Sequence, residues 1–152
     1  MPGLTFEGAR DVILDLFKTR WDADSAAVVG GAVPELEYQN VDAGASPLSD
    51  GNVPWARVTV RHVTGAQRSM GGLGNRVFQR RGVVTVQVFV PTGKQGLVLA
   101  DRLGKVASDA FEGEETATGS VWFRNVSYRE VGIFGPWFQV NVTAEFEYDS
   151  VK

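Results

Sequence analysis

The 152-residue chain has no cysteine, which excludes disulfides, thiolate metal sites and cysteine nucleophiles and leaves the compartment open. One histidine is too few for an ordinary multi-histidine metal centre. No apolar run approaches the about 20 residues that a membrane-spanning helix needs. The opening residues, Met1-Pro2-Gly3-Leu4-Thr5-Phe6-Glu7, have neither a basic region nor a continuous apolar stretch, so synthesis in the cytoplasm without an export signal is expected. Positive charge is not in excess. A formal net charge of -3 is the wrong sign for a general nucleic-acid binder. A hydrophobic fraction of 43% with 22% charged residues is that of a soluble globular chain. At this length a single domain over 1–152 is expected, burying about 70% of its unfolded surface.

The stretch 83–111 organises the rest. Over 83–90 β-branched residues dominate, and their restricted χ1 suits a pleated surface. Val84, Val86, Val88 and Val90 share one face, with Val83, Thr85, Gln87 and Phe89 on the other. Pro91, Gly93 and Gly96 break the strand. From Leu97 the period becomes helical, with Leu99, Leu103, Val106, Ala110 and Phe111 on one stripe. A helix lying back over the valine face would give both elements a burial partner.

Elsewhere, Phe6, Ala9, Ile13, Leu16 and Phe17 predict a helix over about 5–21, with Thr5 as cap and Glu7 and Asp11 at its positive end. A short strand is predicted over 36–41. Strands are predicted over 55–63, where Val58 and Val60 alternate with Arg57, Thr59 and Arg61, and over 121–128. A turn region holding Gly132, Gly135 and Pro136 follows. The last strand has Phe138, Val140, Val142, Ala144, Phe146 and Tyr148 on one face and polar side chains on the other. The acidic stretch 112–119 reads as a solvated loop. Together these predict an α+β domain: a mostly antiparallel twisted sheet of about four to five strands, two helices packed on one face, and a long protruding hairpin arm.

Two connections stand out. Residues 42–54 are small, polar and broken by Gly and Pro, an irregular exposed loop. Residues 64–82 join two strands with far more chain than a hairpin needs. They hold four glycines before a basic segment with Arg68, Arg76, Arg80 and Arg81. Such an arm suits a neighbouring subunit, a nucleic-acid phosphate or an anion, or is simply a solvated hairpin.

Motifs for catalysis are missing. Gly93-Lys94 lacks the earlier glycine of a phosphate loop, where Val88 stands, and the following Ser or Thr, where Gln95 stands. Gly72 and Gly74 do not open a helix after a strand, as a dinucleotide site requires. The sequons at Asn125 and Asn141 fall inside predicted strands and read as chance. His62 would share the valine side of its strand without a nearby acid or nucleophile, so a structural role is expected. Neither a cofactor nor a metal is expected, and the chain does not read as an enzyme.

The sequence resembles the tail terminator proteins of long-tailed bacteriophages. The resemblance runs over most of the chain: the opening helix ending near Trp21, Pro54-Trp55-Ala56-Arg57-Val58, the Gly/Arg-rich arm, the segment from Arg81 through Val90 to Pro91, Leu103 to Phe111, Val121-Trp122-Phe123, and Gly135-Pro136-Trp137-Phe138 with Phe146-Glu147-Tyr148 behind it. It implies an α+β subunit in a hexameric ring at the head-proximal end of the tail tube, which stops tube growth and offers a surface for joining the head. Its implied partners are further copies of itself, the tail tube protein and a connector or neck protein, with DNA only in passage through the channel and no membrane. Its implied location is the virion. On this resemblance the arm residues Arg68, Met70, Leu73, Arg76, Phe78, Arg80 and Arg81 are expected to meet a neighbouring subunit or the tube, the arginines against acidic surface. Another ring-forming tail or neck component is the alternative.

Overall fold

The computed structural model describes residues 4–31, 33–39, 53–93, 95–116 and 120–152. The elements are α1 (Phe6–Val29), β1 (Glu35–Tyr38), β2 (Trp55–Gln67), β3 (Val77–Pro91), α2 (Gly96–Phe111), β4 (Val121–Phe134) and β5 (Trp137–Val151). The strands form one sheet in the order β1-β2-β3-β5-β4. β1 runs parallel to β2 and the other neighbours are antiparallel. With both helices packed against this sheet, the domain is α+β.

The core lies where the valine face meets the helices. Val84, Val86, Val88 and Val90 of β3 are fully buried, with Val58 and Val60 of β2 and Val140, Val142 and Ala144 of β5 beside them. Ala9, Ile13, Phe17 and Trp21 of α1 and Ala100, Leu103, Ala107 and Phe111 of α2 complete the same cluster. Each large aliphatic side chain withdrawn from water here contributes about 1.5–3 kcal/mol. Phe17 and Phe111 stack at 5.5 Å between centroids, joining the two helices.

α1 starts where expected and ends later. The Thr5 hydroxyl accepts from the Gly8 amide at 3.0 Å, satisfying one orphan donor of the first turn. Beyond Trp21 the helix continues for two more turns, with Ser25 on the buried stripe and its hydroxyl donating to the Trp21 carbonyl at 2.5 Å. Gly30, at φ 70°, then stops it, its amide bonding to the Ala26 carbonyl.

The arm is more ordered than a loop over 64–82. Residues 64–67 remain in β2 and 77–82 belong to β3, so only the nine residues 68–76 form the tip. β3 is also paired with β5 as far as Val77 opposite Val151, which makes the base of the arm three-stranded. The predicted turn region after residue 128 is likewise strand: β4 runs to Phe134, and Gly135 and Pro136 alone make the hairpin turn. Gly132 instead sits at a register shift in β4, and Asn125, at φ 53°, sits at another. The short strand predicted over 36–41 is Glu35–Tyr38; residues 40 and 41 lie outside the described set, as do 42–52 of the irregular loop. The acidic stretch is not simply solvated, since Thr116 is buried, its amide bonds to the Val121 carbonyl, and Glu114 pairs with Arg20 at 3.0 Å; residues 117–119 lie outside the described set.

Candidate interaction surface

The tip of the hairpin is built rather than slack. Val77 donates its amide to the Ser69 hydroxyl at 2.9 Å, Gln67 Nε2 donates to the Ser69 carbonyl at 2.7 Å, and Arg76 Nε donates to the Gly71 carbonyl at 3.0 Å. The Asn75 amide closes a turn onto the Gly72 carbonyl at 3.0 Å. On this frame Met70 is 98% exposed and Leu73 88% exposed. Two large apolar side chains held outward on an internally bonded loop bury nothing within their own subunit.

The remaining arm residues separate by face. Arg68, Arg81 and Glu147 lie on the sheet face away from the helices, while Arg80 and Phe78 lie on the helix side. Arg68 Nη1 is 3.5 Å from Asp149, and Arg81 Nε is 3.3 Å from Glu147. The Arg80 guanidinium lies over the Phe6 and Phe78 rings at 5.3 and 5.5 Å and bonds to the Ser150 hydroxyl. The seven residues therefore do not act as one free patch: Arg68, Met70, Leu73 and Arg76 belong to the tip, whereas Phe78, Arg80 and Arg81 help to build its base.

Glu147, which the sequence reading left among the polar outward residues, is the hub of that base. It is buried to 5% exposure, yet it accepts from Gln79 Nε2 and Trp122 Nε1, each at 2.9 Å, and pairs with Arg81 and Arg124. A buried carboxylate persists where charged and neutral donors satisfy its lone pairs. Gly82, opposite Phe146 on the neighbouring strand, has no room for a side chain: a Cβ there would sit 2.2 Å from the Arg61 carbonyl and 2.4 Å from the Phe146 ring.

His62 stands on the helix side, as its strand parity requires. Its Nε2 is 2.8 Å from the Tyr148 hydroxyl, and Phe6, Phe146 and Tyr148 surround the ring edge-on. Burial, then the charges of Arg10 and Arg80, hold its pKa below the ordinary value. Among the described residues no three His, Cys, Asp or Glu side chains are grouped to hold a metal ion, and no helix is long and apolar enough to cross a membrane.

A further feature had no sequence signal. Between α2 and β4 a shallow open recess of about 330 Å³ is lined by Tyr128 together with Asp101, Lys105, Asp109 and Glu112. The ring of Tyr128 lies against Gly104, where a Cβ would meet it at 2.3 Å. The Tyr128 hydroxyl donates to Asp101 Oδ1 at 2.5 Å, and burial followed by this bond pushes the phenol well above its usual range. β4 is an edge strand, and Val131 and Ile133 on it are 52% and 76% exposed.

No family model matches the chain, and no curated protein matches it. Among solved structures it is similar to one protein whose name states no activity, at 18% identity and TM-score 0.56, with 94% of this chain and 95% of that chain covered. That similarity shows a shared fold. It also aligns with a chain of the virion of a native gene transfer agent particle, at 14% identity and TM-score 0.44, covering 92% of each; at that score the alignment carries no argument about function.

Proposed function

We propose that this chain is a structural, non-enzymatic virion protein, a tail terminator whose ring caps the head-proximal end of the tail tube, stops tube polymerisation and provides the head-joining surface. The observation that carries the reading is the hairpin tip: Met70 and Leu73 stand exposed on a loop braced by four hydrogen bonds, the form of a preorganised binding element rather than of a solvated turn. The residue pattern that resembles tail terminators spans the same arm and the core strands beside it. Edge strands β1 and β4 add polar backbone that copies of the chain can cover in an assembly. The mechanism is steric. One face of the ring meets the last ring of the tube, the other offers no template for the next tube subunit, and DNA passes through the channel without being held.

Electron microscopy of the purified protein mixed with tail tubes tests this. Density at one tube end only, with tubes that no longer lengthen when tube subunits are added, is the expected result. Incorporation along the tube would assign the chain to the tube itself, and binding to heads before tubes would assign it to the neck, the alternative ring-forming role.

A further inference from the structure

Resting on the ring reading above, we infer that the recess between α2 and β4 receives the hairpin tip of the next copy of this chain. The two surfaces match in charge. Residues 64–76 carry Arg76 and Arg68, the latter paired with Asp149 at 3.5 Å within the subunit, and no carboxylate. The recess has Asp101, Asp109 and Glu112 against the single ammonium of Lys105, which Asp109 already pairs at 2.6 Å. Among the described residues the Arg76 guanidinium bonds to the Gly71 carbonyl and enters no ion pair, and so has charge to offer a partner.

They also match in apolar character. Tyr128, which lines the recess, is 40% exposed, and the absence of a side chain at Gly104 lets its ring approach α2 closely. Met70 and Leu73 are of the size and flexibility to cover it. The tip lies at the far end of the β2–β3 hairpin, and the recess lies along the opposite edge of the sheet, beyond β5. A contact between two different surfaces of identical copies is heterologous, so its repetition closes into a ring when the rotation permits and continues as a filament when it does not. Steering by opposite charge accelerates such docking and makes it sensitive to salt.

The chain's lack of cysteine allows a direct test. Leu73→Cys and Lys105→Cys replace exposed side chains on the tip and at the recess, so both variants fold. On mild oxidation a mixture of the two is expected to give a disulfide-linked dimer, and either variant alone is not. In parallel, Arg68→Glu with Arg76→Glu is expected to weaken self-association about tenfold or more, with recovery when mixed with Asp109→Lys, Glu112→Lys copies. Rings that assemble without the cross-link and without response to the charge exchange would overturn the docking alone. A native chain that remains monomeric at every concentration and on tubes would overturn the ring reading, and the docking with it.

Discussion

Gly82 lies directly opposite Phe146 across β3 and β5, and the aromatic ring occupies the space that any side chain at residue 82 would need. On its other side Gly82 pairs with His62, just before the register of β2 against β3 shifts. The close approach therefore fixes the point where the arm leaves the body of the sheet.

Gly82→Val follows from this contact. Its Cβ would collide with the Arg61 carbonyl, which cannot rotate away, so the sheet itself must shift. A loss of about 1–3 kcal/mol is expected, the usual range for overpacking. Denaturant midpoints check it, and an unchanged midpoint would refute the strand register at residue 82.

Glu147→Gln leaves Arg81 and Arg124 without their shared carboxylate while retaining one carbonyl to accept a hydrogen bond. Because both guanidiniums are about half exposed, water recovers part of the loss. About 1–3 kcal/mol of destabilisation is expected, read from thermal melts. The tip should keep its internal bonds, so the variant separates support of the arm's base from the binding proposed for its end.

His62 gives a pH dependence of known sign. Its folded pKa is lowered from an ordinary value of 6.5, so the unfolded chain binds the proton more readily. The stability is complete above pH 6.5 and is lost as the pH falls from there through the folded value. Melting temperatures of the native chain and of His62→Gln, compared at pH 7.5 and below 6, should draw together at the acidic end. Parallel curves would show that the imidazole is not desolvated between Arg10 and Arg80.

Val86→Asp places a carboxylate at a fully buried position of the central strand. Among the described residues it is packed in a cluster of hydrophobic side chains, and the burial of an unpaired charge costs several kcal/mol or more. Loss of cooperative melting is expected; a soluble variant with a native transition would show that the valine face is not the core.

Much of this architecture was legible because one face of each central strand is buried. Alternation in β5 and the run of valines in β3 follow from that condition, and the 3.6-residue period of α2 follows from packing on the same face. Legibility failed where burial and polarity part company. Ser25 interrupts the apolar stripe of α1 and hides its last two turns, although Gly30 marks the stop. Gln79, Arg80 and Arg81 look like loop residues, yet they sit in a strand whose side chains are satisfied by Glu147, Ser150 and the Phe6 ring. Met70, Leu73 and the tip arginines were visible in the sequence as an unusual arm. The recess at Tyr128 was not, because it joins Tyr128 to residues 16 to 27 positions earlier that no local pattern connects.

The central claim, that this protein ends the tail tube, is tested most directly by electron microscopy of lysates from phage lacking it, scored for tail length and head attachment. Overlong tubes beside unattached filled heads are expected. Tubes of normal length that merely lack heads, or no tubes at all, would contradict it.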